Sequence, residues 1–102
     1  MIAEKTKKYI IKLRDKPYKL NPTNVFLLSA INQYISTFSP NSINILDFGG
    51  ACGAHYFEIK RFIPDRIKLN WLVIETEQMV LSAKNMKLGN DELKFYDSLE
   101  LI

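Results

Sequence analysis

The chain has 102 residues, 14 basic against 11 acidic side chains, and a formal net charge of +3. With 47% hydrophobic and 25% charged residues it has the composition of an ordinary globular domain, which excludes collagen-like, disordered and disulfide-stapled classes. The length allows one small domain. The single cysteine, Cys52, has no internal partner, so a reducing, cytoplasmic setting is expected. No apolar run approaches the ~20 residues that span a bilayer, and the opening Met1-Ile2-Ala3-Glu4-Lys5 lacks a signal-peptide core.

Positive charge is concentrated at the start. Residues 1–20 hold seven basic and two acidic side chains, a balance of +5, against seven basic and nine acidic, or −2, in residues 21–102. Neither aromatic interleaving nor a nucleic-acid motif accompanies the lysines, so a solvated helix face explains them better than a nucleic-acid contact.

In chain order, Tyr9, Ile10 and Leu13 stand three or four apart among lysines and predict a short amphipathic helix over residues 3–14. Pro17 ends it. Asn21-Pro22-Thr23-Asn24 supplies turn and cap residues for a second helix over about 24–38. Its apolar stripe is Leu27, Ile31, Tyr34 and Phe38, flanked by Leu28 and Ile35. Residues 43–48 (INILDF) read as a strand buried on both faces. The turn Gly49-Gly50-Ala51-Cys52-Gly53 leads to a helix over 54–63 with Tyr56, Ile59, Phe62 and Ile63 inward, stopped near Pro64. Residues 70–75 predict a second buried strand, and 76–88 a helix with Met79, Val80, Ala83 and Met86 or Lys87 inward. Gly89-Asn90 closes that helix, and Leu93–Tyr96 begins a third strand. A helical segment (1–40) thus precedes an α/β unit (41–102) whose alternating elements imply a parallel sheet.

Ligands of such sheets bind at the carboxyl ends of the strands. The chain's polar and glycine-rich residues fall there: Asp47 to Gly53, then Glu75, then Asp97 and Ser98. A glycine turn between strand and helix lets a ligand approach the backbone and aims N–H groups at an anion. The Gly-Lys-Ser/Thr of a phosphate loop is absent, and Ala51 and Ala54 spoil a GxGxxG spacing from Gly49. Asp47, two residues before Gly49, would repel a pyrophosphate and attract an ammonium. A ligand with an acid end for the turn and an ammonium for Asp47 is an amino-acid zwitterion, as carried by S-adenosylmethionine (SAM). Glu75, 22 residues after Gly53, stands where an acid accepts hydrogen bonds from ribose hydroxyls. Taken singly, Asp47 also reads as a turn cap and Glu75 as a solvated strand end.

The stretch ILDFGGACGAHYF (45–57) resembles motif I of class I SAM-dependent methyltransferases, apolar–Asp–x–Gly–x–Gly–x–Gly, with Ala51 in place of the middle glycine. Together with WLVIETEQMV (71–80), it resembles a smaller family of bacterial methyltransferases, many of which accompany surface-polysaccharide genes. The resemblance spans roughly residues 43–100. It implies a Rossmann-like sheet in which Asp47, Gly49, Gly50, Ala51 and Gly53 hold the methionine part of SAM and Glu75 the ribose. Met79, with Thr76 and Gln78 near it, would line the adenine; Met79 reads equally well as core. Asp97 or Ser98 would meet the adenine amino group, or serve only in the turn. His55 beside the glycine turn would contact the methionine carboxylate, act as a base, or face solvent. Cys52 reads as a small turn residue and Trp71 as core.

The family's sheet has seven strands, of which this chain supplies the first three. Strand 1 is then an unpaired apolar edge, open to a missing C-terminal part or to self-association. The expectation is the cofactor-binding part of a methyltransferase, inactive alone, acting with a small-molecule or saccharide acceptor. The alternative is a non-catalytic nucleotide-binding or interaction module of the same fold. A dehydrogenase fragment is disfavoured by Asp47 and the failed glycine spacing.

Overall fold

The computed structural model describes residues 21–98, so the helix expected over 3–14 lies outside the described residues. Three helices and three strands follow in the order α1 (Pro22–Phe38), β1 (Ser42–Phe48), α2 (Ala54–Lys60), β2 (Lys68–Ile74), α3 (Glu77–Asn85) and β3 (Leu93–Tyr96). The strands form one parallel sheet in the order β1-β2-β3, an α/β arrangement.

Helix α1 begins two residues earlier than its apolar pattern suggested. Asn21 caps it, its Oδ1 accepting from the Thr23 N–H at 2.9 Å, and Pro22 fills the first position, where no N–H is needed. The predicted stripe is also rotated. Ile31 is buried with Leu27, Leu28 and Ile35 beside it, whereas Tyr34 and Phe38 are exposed. The buried line starts instead at Asn24, drawn inward by a hydrogen bond to His55.

Helix α2 stops at Lys60, and residues 61–63 form a turn rather than the last helical residues. Helix α3 ends at Asn85. The residue that takes the left-handed conformation after it is Lys87 (φ 54), not the expected Gly89. Gly89 serves close approach, since a Cβ there would stand 3.2 Å from the Leu93 carbonyl oxygen.

Period-2 alternation sends Ile43, Ile45 and Asp47 of β1, Leu69, Trp71 and Val73 of β2, and Leu93 and Phe95 of β3 to one face. The same core holds Tyr56 and Ile59 of α2, Ile63 from the turn after it, and Val80 and Ala83 of α3. Trp71 is fully buried, with the Tyr56 ring edge-on at 5.8 Å. Each fully buried aliphatic side chain contributes about 2 kcal/mol of transfer free energy. The opposite face carries Asn44, Leu46 and Phe48 of β1 in register with Asn70, Leu72 and Ile74 of β2. Leu46 is 51% and Phe48 62% exposed, so β1 is buried on one face only, contrary to the expectation from its apolar run.

At the amino ends of the strands, Glu92 organises the packing. It accepts from the Leu69 N–H (2.8 Å), the Tyr56 hydroxyl (2.8 Å) and Lys60 Nζ (2.9 Å). Burial alone would raise its pKa; the donated hydrogen bonds outweigh burial and hold it below the ordinary value. Burial, then the bond to Glu92, pushes the Tyr56 phenol up to about 12.

Candidate functional site

The carboxyl ends of the three strands are laced together. The Gly49 N–H donates to the Ile74 carbonyl at 2.9 Å, and the Glu75 N–H to the Tyr96 carbonyl at 3.0 Å. Between these, Glu75 Oε2 accepts from the Ala51 N–H at 3.0 Å and Oε1 from the Thr76 N–H at 2.9 Å. The acid expected at the second strand tip is therefore bonded directly to the glycine turn. One lone pair on each Glu75 oxygen is left for a further donor.

The turn itself explains its residue types. Gly49 (φ 66), Ala51 (φ 51) and Gly53 (φ 85) alternate in the left-handed region, the three positions of the motif's glycines. Ala51 occupies such a position at an energetic cost. A Cβ on Gly53 would stand 2.8 Å from Leu93 Cδ2, and one on Gly50 would overlap the Asp47 carboxylate. These two glycines make room for the protein's own side chains. Gly49 alone opens onto free space, with no atom within 4 Å of the place a Cβ would take.

Asp47 lies at the tip of β1 on the covered face, where its Oδ2 accepts from Trp71 Nε1 at 3.0 Å. Trp71 is core, as its position suggested, but its indole N–H also orients this carboxylate, as a buried tryptophan's need for an acceptor makes intelligible. Oδ1 of Asp47 has no partner among the described residues.

The expected N–H donors of the turn are partly spent. Ala51 donates to Glu75 and Gly53 to the Gly50 carbonyl (3.1 Å). The N–H groups of Gly50 and Cys52 carry no hydrogen bond among the described residues.

The remaining predicted residues divide. Thr76 caps α3, its Oγ1 accepting from the Met79 N–H at 3.3 Å, and Met79 is half-buried against the core. Asp97 is exposed just beyond β3, lining a shallow groove of about 320 Å³ between α3 and β3 with Val80, Lys84, Phe95 and Tyr96. It shares the strand ends with Glu75 without touching the glycine turn. His55 Nδ1 stands 2.8 Å from Asn24 Oδ1, a pairing between α2 and buried Asn24 of α1 that spacing in the sequence did not suggest. Cys52 is fully buried, and burial followed by the charge of Glu75 pushes its thiol up, which removes it as a nucleophile.

Among the described residues, no group of three or more His, Cys, Asp and Glu side chains is placed to hold a metal ion, and no helix is long and apolar enough to cross a membrane. In comparisons with known proteins the chain has no significant match to a family model, a curated protein or a solved structure.

Proposed function

We propose that the chain is the SAM-binding part of a methyltransferase with a Rossmann-like sheet, acting on a small-molecule or saccharide acceptor. The observation that carries this reading is the pairing of Asp47 and Glu75 at adjacent strand tips on either side of one left-handed turn, Glu75 bonded to that turn through Ala51. The donor set suits a zwitterion attached to a ribose. Asp47 Oδ1 accepts from an ammonium while Trp71 holds Oδ2 in place. The uncommitted Gly50 N–H suits the acid end, and the spare lone pairs of Glu75 accept from ribose hydroxyls. Gly49 leaves the approach open. When bound, SAM supplies an electrophilic methyl on a sulfonium. The chain's part is then to hold and align it for in-line transfer, which asks little of acid–base groups.

Isothermal titration with SAM tests the reading, with Asp47→Asn as the informative variant. Asparagine keeps an oxygen for Trp71 and removes the charge. Wild type is expected to bind SAM weakly, and Asp47→Asn to bind roughly ten- to a hundredfold more weakly, the loss of one charge-assisted hydrogen bond. Equal binding by the variant, no binding by wild type, or a preference for NAD over SAM would overturn the assignment; the last would favour the nucleotide-binding module.

A further inference from the structure

We infer that His55, held by Asn24, donates to the acid end of SAM through Nε2 and takes up a proton as the cofactor binds, an assignment that rests on the SAM reading.

The charges at the carboxyl ends of the strands are of one sign. Asp47, Glu75, Glu77 and Asp97 lie there, while residues 41–59 and 69–83 contain neither lysine nor arginine. Lys60 and Lys84 stand in the last turns of α2 and α3, and Lys60 is bonded to Glu92 at the amino ends of the strands. A carboxylate brought to the glycine turn therefore enters acidic surroundings. The turn offers it the Gly50 N–H, Cys52 being fully buried. One neutral donor does not balance a carboxylate among four acids. Between residues 49 and 59 the one side chain able to turn positive is His55, in the first turn of α2.

The bond to Asn24 fixes which nitrogen of that ring is available. His55 Nδ1 stands 2.8 Å from Asn24 Oδ1, and a carbonyl oxygen only accepts, so Nδ1 carries the hydrogen. Nε2 of the half-buried ring has no partner among the described residues. In the neutral ring Nε2 is a bare acceptor. Protonation turns it into a charged donor and leaves the bond to Asn24 in place. Helix α1 is built around this pair. It buries the Asn24 amide to 2% exposure and leaves Phe26 81% exposed, the reverse of what polarity alone dictates. A local rule broken beside a ligand site is the expected mark of function.

The charged groups around His55 are few. Helix α1 has none in its 17 residues. On α2, Glu58 stands one turn on, its carboxylate accepting from the Asn21 N–H. From the turn and the strand tips come Glu75, bonded to Ala51, and Asp47, bonded to Trp71. Each of these acids is already tied to a donor of the chain. The arriving carboxylate is the new charge, and it favours the imidazolium, so binding draws a proton from solvent onto Nε2. Affinity then rises as pH falls through the range in which imidazole titrates.

Isothermal titration of the full chain with SAM between about pH 6 and pH 8, the range of an ordinary imidazole, reads this linkage. The reference is His55→Gln, which cannot gain the charge. The α-amino group of SAM also titrates near pH 8, but it does so alike for both proteins. Wild type is expected to bind roughly tenfold more tightly than His55→Gln at the acid end of the range, the gain of one charged hydrogen bond, and within about twofold of it at the alkaline end. In buffers of unlike ionisation enthalpy wild type should take up more protons than the variant. Asn24→Leu, which frees the ring, should lose most of the gain at acid pH and keep the affinity at alkaline pH. Nitrogen NMR of the free wild-type protein should show the Nδ1–H tautomer, a readout that needs neither variant nor cofactor. Parallel pH profiles for wild type and His55→Gln, equal proton uptake, a full gain in Asn24→Leu, or an Nε2–H tautomer would each overturn the inference and leave SAM binding standing. Absence of SAM binding at every pH would remove both.

Discussion

The two ends of the parallel sheet use the same kinds of group for opposite purposes. At the amino ends, the carboxylate of Glu92 is met by a backbone N–H, a phenol and an ammonium, all from its own chain. At the carboxyl ends, Asp47 and Glu75 are anchored but not saturated: Asp47 keeps one oxygen free, and each Glu75 oxygen takes one donor. The backbone differs in the same sense. Left-handed residues crowd into 49–53, while the approach to Glu92 is an ordinary turn in which Asn90 Oδ1 accepts from the Glu92 and Leu93 N–H groups. A saturated network stabilises the fold, and an anchored, unsaturated one with a strained turn keeps capacity for a ligand.

The sharpest way to separate the two ends is to remove Glu92. Glu92→Ala strands the Leu69 N–H and unpairs Lys60 and Tyr56, so a loss of about 2–4 kcal/mol is expected, read from the midpoint of urea unfolding. The pH dependence carries the sign of the shifts. Glu92 is held below its ordinary pKa in the fold, so its stabilisation is present above the ordinary carboxylate value and lost as pH falls below it. Tyr56, raised to about 12 from 10.0, stabilises fully below pH 10 and loses that contribution as pH rises toward 12. The gap between wild type and Glu92→Ala should therefore narrow at acid pH. A constant gap down to about pH 3, below the ordinary carboxylate range, would show that the network is not acting through charge.

A smaller effect divides the glycines of the turn. Gly53→Ala combines left-handed strain with overlap on Leu93, and should cost about 2–3 kcal/mol. Gly49→Ala meets nothing and should cost about 1 kcal/mol, while impairing SAM binding more than Gly53→Ala does relative to its effect on stability. Thermal unfolding with and without SAM measures both. Equal destabilisation by the two would erase the distinction between a glycine that serves packing and one that fronts the ligand.

The element order and the parallel sheet were legible because each strand is a short apolar run between punctuating residues such as Pro40, Gly49, Pro64 and Gly89. Asp47 and Glu75 were legible as a pair because strand tips follow directly from the strand assignments. What escaped was set by partners distant in sequence. Asn24, a polar residue, took a buried place on α1 because His55, 31 residues away, offered it a hydrogen bond, and this rotated the helix away from its most apolar stripe. The exposed face of β1 escaped because an apolar run does not tell whether one layer or two will cover it. Glu92 looked like any acid in a turn; its three donors come from α2 and β2, and no local spacing announces them. Lys87 took the left-handed position expected of Gly89 because helix α3 ended earlier than its polar tail implied.

Ala51 is where the two demands on the turn collide within one residue. Its φ of 51 costs an L-amino acid about 1–2 kcal/mol relative to glycine, and its N–H holds Glu75 in place. Replacing it with glycine removes that strain, yet returns about 0.5–1 kcal/mol of freedom to the unfolded chain. The net stabilisation expected for Ala51→Gly is therefore about 0.5–1 kcal/mol, visible as a small rise in Tm. The same variant clears a methyl from the turn that faces Glu75, so SAM affinity should rise with Tm. If Tm rose while affinity fell, the alanine would be keeping Glu75 on the turn and thereby shaping the site, and the strain would belong to the ligand end's function rather than to a tolerated departure from glycine.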